Sequence, residues 1–167
     1  MKRLILMRHS IASSTASSDF ERKLTERGIV KAKSQAMKLD QYLEDNSFEI
    51  NFIFSSSAVR AKETFEYLSC LMEIEKTESK LTSLLYMAGL KELKKLFLDY
   101  NEEIKNCDTI LVVAHNNGIS KIASRLTDFS IYFDTASIAI LSFEDNDILW
   151  NKALDYESNW ELDYFIR

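Results

Sequence analysis

The sequence of 167 residues has no proline, and glycine occurs only at positions 28, 89 and 118. Chain reversals must therefore be read from Ser, Asn and Asp clusters instead of from the usual breakers. Its two cysteines, Cys70 and Cys107, stand far apart with no C-x-x-C pair. That favours free, partly buried thiols over a disulfide and leaves a structural zinc without ligands. No apolar run approaches the roughly 18 to 20 residues of a membrane span, and the first dozen residues lack the pattern of a secretory leader. A cytoplasmic protein is expected. Positive charge is in deficit, with 21 Lys and Arg against 26 Asp and Glu and a net charge of −5. This argues against a general nucleic-acid or anionic-membrane surface, which needs a basic face, but leaves room for a local cationic pocket. Walker A loops, Asp-rich clusters and H-x-E-x-H spacings are also missing, so nucleotide and metal mechanisms lack residues and neither cofactor nor metal is expected.

What is present suits one α/β domain over residues 1–167, since nearly half the residues are apolar and the length supports one substantial core. "KRLILMR" (2–8), "INFIFSS" (50–56) and "TILVVAH" (109–115) are continuous Leu, Ile, Val and Phe runs, the pattern of strands covered on both faces. "LTERGIVKAKSQAMKLDQYLED" has helical spacing, with Thr25 placed to cap it. "SSAVRAKETFEYLSCLM" predicts a second helix opening on capping serines, "GLKELKKLFLDYNEEI" a third and "NGISKIASRL" a fourth. "ASIAILSFEDNDILWNKAL" reads as two strands joined at Asp145-Asn146-Asp147, while "YESNWELDYFIR" has no assignable pattern. Alternating strands and helices imply a three-layer α/β sandwich on a mostly parallel sheet, whose ligands sit at the carboxyl ends of the strands.

That rule gives meaning to the polar residues that end the three apolar runs. His9 follows the first, Ser55 to Ser57 the second and His115 the third, and these are the only two histidines in the chain. Arg8 adjoins His9, and Arg60 stands near the start of the second helix, from where a guanidinium reaches back to the strand ends. With two helix N-termini these groups make an anion cradle. A neutral imidazole at His9 is a good phosphoryl acceptor, and the surrounding cations would stabilise the transferring oxygens. The plainer alternative for Arg60 is a pair with Glu63 or another carboxylate on the helix surface.

Four ordered blocks carry a resemblance. "LMRHS" (6–10) resembles the R-H-G signature of the histidine phosphatase superfamily, and "SSSAVRAKET" (55–64) its S-S-x-x-x-R-A-x-x-T segment. "VVAHNNGI" (112–119) resembles its V-x-H-N-P-G block, and "SDFERKLTERG" (18–28) is similar to the S-D-x-x-R-P-L-T-x-x-G stretch of the small SixA-type phosphohistidine phosphatases. The resemblance covers about residues 2 to 145 and implies a phosphoglycerate mutase-like fold. It also implies that His9 is the phosphorylated nucleophile, that Arg8, Arg60 and His115 bind the phosphoryl group, and that Arg22 lines the pocket. Asn116 would offer an amide to substrate or cap the following helix.

Three positions depart from the pattern. Ser10 replaces the glycine of R-H-G, adding a side chain that crowds the phosphate path or supplies a donor. Asn117 replaces the proline of H-N-P-G. Many superfamily members carry a glutamate acid after the second helix, but "LTSLLYMAGL" has no carboxylate, which leaves Asp19 as the candidate acid nearest the nucleophile. The expected activity is hydrolysis of phosphohistidine in a protein or of another small phosphorylated substrate, with phosphohistidine preferred over alkyl phosphates. The alternatives are a phosphoglycerate-mutase-like phosphotransferase and a phosphoprotein-binding module without turnover.

Overall fold

In the computed structural model, which describes residues 1–145 and 147–167, the three apolar runs form adjacent central strands. They are β1 (Lys2–Arg8), β2 (Phe52–Ser56) and β4 (Thr109–Ala114); β3 (Glu78–Thr82), β5 (Ile138–Phe143) and β6 (Glu161–Ile166) complete a six-stranded sheet in the order β3-β2-β4-β1-β5-β6. The first four strands in that order are mutually parallel, β5 runs antiparallel to β1, and β6 antiparallel to β5. The expected sandwich on a mostly parallel sheet is the one observed.

Strand periodicity sorts the core into two halves. Leu4 and Leu6 of β1 face one side with Phe52, Phe54 and Val112, where they pack with Leu93 and Phe97 of α3 (Leu90–Asp99) and Ile122 and Leu126 of α5 (Gly118–Thr127). Ile5 and Met7 face the other side with Ile53, Leu111 and Val113, against Ala36 and Leu39 of α1 (Glu26–Asn46) and Ala61 and Leu68 of α2 (Val59–Leu71). Both faces are covered, which is why these strands are continuous apolar runs without alternation.

Thr25 caps α1 as expected, its hydroxyl accepting from Gly28 N at 3.0 Å. The serines before α2 do not cap it. The N-cap is Ala58, without a side-chain bond, because Ser55 and Ser56 still belong to β2 and Ser56 is engaged by the site described below. The expected third helix breaks at Tyr100 into α3 and a short α4 (Asn101–Ile104).

A further correction concerns residues 136–154. Only β5 is a strand; "ILWNKAL" carries a short helix, α6 (Trp150–Ala153), because Trp150 is drawn fully into the core, its indole N–H donating to Cys107 O at 2.8 Å. The expected turn there includes Asn146, which lies outside the described residues. The unassigned tail supplies β6, and polar "ESKLT" supplies the exposed edge strand β3. Cys70 is exposed, Cys107 is buried, and both are free. Among the described residues no helix is long and apolar enough to cross a membrane.

Candidate active site

The carboxyl ends of β1, β2 and β4 lie side by side, and His9, Ser56 and His115 leave them toward one cavity of about 480 Å³. Its walls include Arg8, His9, Asp19, Arg22, Arg60 and His115. The structure thus brings together seven of the eight side chains singled out from sequence, Asn116 among them, and leaves out Ser10.

His9 is held in one tautomer. Its Nδ1–H donates to the Ser10 carbonyl at 2.6 Å, so the lone pair is on Nε2, which accepts from Arg60 Nε–H at 3.2 Å. Burial, followed by the nearby Arg60, Arg8 and Arg22 charges, pushes the His9 pKa down to about 4, against the opposing pull of the Ser10 carbonyl. Nε2 is therefore an unprotonated, aimed base at neutral pH.

His115 lies with its ring centroid 4.9 Å from that of His9, and its Nε2 is 2.8 Å from Ser56 Oγ. Ser56 Oγ accepts from Ala58 N at 3.3 Å and has its own proton available for His115 Nε2, the arrangement that places the ring proton on Nδ1. Nδ1 is buried and without a partner among the described residues, as is Arg8 Nε. Burial, then His9 and Arg60, pushes the His115 pKa down to about 3. Arg8 is anchored by donating to Phe133 O at 2.8 Å, the same carbonyl that receives the Asn116 amide at 2.8 Å. Asn116 Oδ1 accepts from Ser120 Oγ at 2.6 Å, so this side chain braces the Arg8 support and does not cap α5.

Arg60 is buried and its surface alternative fails, since Glu63 instead accepts from Leu24 N. Its terminal nitrogens grip Asp19, NH1 on the backbone carbonyl at 2.5 Å and NH2 on Oδ2 at 3.0 Å. Arg22 NH1 holds Asp19 Oδ1 at 2.9 Å, and the Tyr86 hydroxyl donates to Oδ2 at 2.5 Å. The Tyr86 bond, then Arg22, hold the Asp19 carboxyl well below the usual carboxylate range. In this arrangement Asp19 is an ionised acceptor with no proton to give. Phe20, next along the chain, accepts from Val59 N at 3.0 Å, so the first N–H of α2 is spent on this loop and does not face the cavity.

Ser10 lies beneath the cavity and not in it. Its hydroxyl donates to Gly28 O at 2.7 Å, and its N–H donates to Thr64 Oγ1 at 3.0 Å. The extra side chain neither crowds the phosphate path nor adds a donor there, because α1 approaches so closely that a Cβ on Gly28 would run into the Ile11 carbonyl.

Tyr86 is the pocket residue that the sequence reading passed over. Thr82 caps the 3-10 turn Ser83–Leu85 through its hydroxyl, Leu85 and Ala88 are buried, and a Cβ on Gly118 would strike the Ala88 carbonyl. These anchors clamp the loop onto the start of α5 and set the Tyr86 ring edge-on to His115, 5.3 Å away at 80°. Among the described residues no group of His, Cys, Asp and Glu side chains is arranged to hold a metal ion.

Two neutral buried histidines carry a stability consequence. In the unfolded chain each takes up a proton near pH 6.5, and in the fold not until about pH 4 for His9 and about 3 for His115. The unfolded state binds more protons between these limits, so the contribution is fully present above about pH 6.5 and is lost as pH falls. The expected slope is about 1.4 kcal/mol per pH unit for each histidine. Urea unfolding at pH 7.5 and pH 5 should show this loss, and His115→Asn should flatten it.

No family model and no curated protein matches the chain. Solved structures do. The protein histidine phosphatase SixA complexed with tungstate superposes with a TM-score of 0.76 at 19% identity, over 98% of this chain and 96% of that one. The SixA protein of Agrobacterium tumefaciens gives 0.75 at 20%, over 99% and 97%. A mycobacterial glucosyl-3-phosphoglycerate phosphatase gives 0.69 at 16%, over 97% of each chain. Over nearly its whole length, this chain has the phosphoglycerate mutase-like fold of the histidine phosphatases.

Proposed function

We propose that the chain is a phosphatase in which His9 accepts the phosphoryl group and water then releases it. The observation that carries this reading is the aim of His9 Nε2: its tautomer is fixed by the Ser10 carbonyl, and the Arg60 guanidinium stands against the attacking atom. Nucleophilic attack forms the Nε2–P bond as the bond to the leaving group breaks. Arg60 Nε–H, Arg8 and His115 Nδ1–H are the donors on hand for the three phosphoryl oxygens. Asp19 and Arg22 fix the outer end of Arg60, and Asn116 supports Arg8 through their shared carbonyl.

Phosphohistidine in a protein is the favoured substrate, with small phosphorylated molecules second. Support comes from the SixA neighbours and from leaving-group chemistry: a phosphorylated imidazole protonated on its other nitrogen departs as neutral imidazole, whose conjugate acid has a pKa near 6.5, and needs little help. An alkoxide, about as basic as hydroxide, needs a proton. A mutase-like transfer or binding without turnover would leave no free phosphate.

The test is phosphate release from a phosphohistidine protein, an aryl phosphate and phosphoserine. Release is expected fastest from the first and slowest from the last, undiminished by EDTA and inhibited by orthovanadate. Binding of the phosphoprotein without release of phosphate from any of the three would sink the reading, and activity restored only by added Mg²⁺ or Zn²⁺ would sink its metal independence.

A further inference from the structure

We infer that Tyr86 is a catalytic residue of this site, giving its phenolic proton to the leaving group and so extending hydrolysis to phosphate esters with poor leaving groups. The inference rests on the phosphatase reading above and adds to it a donor and a substrate class.

Arg60 serves as a ruler across the cavity. Its Nε touches the attacking atom, His9 Nε2, at 3.2 Å, and its terminal nitrogens, at the far end of the planar guanidinium, touch Asp19. The Tyr86 hydroxyl bonds the same Oδ2 that Arg60 NH2 holds, so it stands on the outer side of the guanidinium, away from the nucleophile. In an in-line displacement at a phosphorus bonded to Nε2, the leaving atom emerges on that outer side. Tyr86 lines the same cavity on that side, with its hydroxyl at the far end of the guanidinium.

The remaining groups at this mouth do not compete for the role. Ile11, Ala12 and Met87 have no titratable proton, the Thr135 hydroxyl is an aliphatic alcohol far less acidic than a phenol, and the Asn116 amide is committed to Phe133 O. The Arg22 guanidinium is held by Ser13 O and Asp19, and Asp19 is ionised between two guanidinium groups. The proton shared by the Tyr86–Asp19 pair thus belongs to the phenol, which the carboxylate keeps protonated by raising its pKa. Rotation about the Cζ–Oη bond redirects that proton to a leaving oxygen while Asp19 stays satisfied by Arg22 and Arg60. The adjacent Arg60 charge favours the phenolate that results.

The step balances. The His9 Nε2 lone pair forms the N–P bond, the P–O bond breaks, and the leaving oxygen takes the Tyr86 proton. Water then attacks the phosphohistidine, the P–N electrons return to Nε2, and the proton lost by water restores the phenol. On this assignment no carboxylate is needed in "LTSLLYMAGL": the loop that lacks a glutamate supplies a tyrosine.

The experiment is a leaving-group series, from p-nitrophenyl phosphate through less acidic phenyl phosphates to phosphoserine, run on wild type and Tyr86→Phe. The variant keeps the ring that packs on His115 and removes only the hydroxyl, while Asp19 keeps its bonds to Arg22 and Arg60. Wild type should hydrolyse every member, with a shallow dependence on leaving-group pKa. Tyr86→Phe should lose about 10²-fold or more on phosphoserine, with the loss shrinking steadily toward the nitrophenyl ester. A steepened dependence of this kind is not produced by a merely structural hydroxyl, which would cost every substrate the same factor. An equal loss across the series, no loss at all, or a wild type that hydrolyses the aryl esters but not phosphoserine would each overturn the role of Tyr86 and leave the phosphatase reading standing. A wild type that hydrolyses no member would overturn that reading, and the role of Tyr86 with it.

Discussion

His9→Ala is expected to lower turnover of an aryl phosphate to about a thousandth of wild type or less, the scale of loss seen when a covalent nucleophile is removed from an enzyme whose binding groups survive. The magnitude follows from the site's construction. One imidazole nitrogen carries an unprotonated lone pair that meets the Arg60 Nε–H in the cavity, and the other is tied to the Ser10 carbonyl. His115 does not substitute for it, because its Nε2 is bonded to Ser56 and its other nitrogen carries the proton. The cations remain in the variant, so tungstate or phosphate should still bind and protect it against thermal unfolding. Loss of turnover with retained oxyanion binding separates a missing nucleophile from a collapsed pocket. Activity within tenfold of wild type would refute the assignment.

Arg60→Lys is expected to cost about 10²-fold or more in kcat/KM, on the order of 3 kcal/mol in transition-state stabilisation. Lysine keeps the charge but loses both engagements that the guanidinium makes at once. Nε–H against His9 Nε2 and the two terminal nitrogens on Asp19 form one rigid plane, whereas an ammonium is a single point on a flexible stem. Asp19 would retain Arg22 but lose its link to the nucleophile, so Asp19→Asn in the wild-type background should show a smaller loss in the same direction, of similar size for every leaving group. Retention of activity within about threefold in Arg60→Lys would mean that the fork does not touch the transferring group.

The central sheet was legible because burial on both faces leaves an unambiguous mark: uninterrupted apolar runs in β1 and β4, each strand followed directly by a histidine. β3 escaped because an exposed edge strand has no apolar pattern to read, and β6 because its residues alternate on a partly open edge. Trp150 was read into a strand, but its large ring settles in the core and carries its segment into a helical turn, a tertiary effect that local periodicity does not encode. At the site, side chains fixed by their position on a strand end or first helical turn, His9, His115 and Arg60, were found from spacing alone. The hydroxyl of Ser10 was not, because its direction depends on how closely α1 packs at Gly28. Tyr86 was missed for a chemical reason. The superfamily pattern points to a carboxylate in this loop, and a phenol held to Asp19 across 67 positions of sequence leaves no local signal.

The covalent intermediate is the direct test of the account. Wild-type protein mixed with ³²P-labelled substrate and quenched within the first turnover should carry phosphate that is lost in acid, survives alkali, maps to the peptide containing His9 and is missing from His9→Ala. Label on a serine or aspartate, or turnover through a first cycle with no phosphate retained on His9, would contradict it.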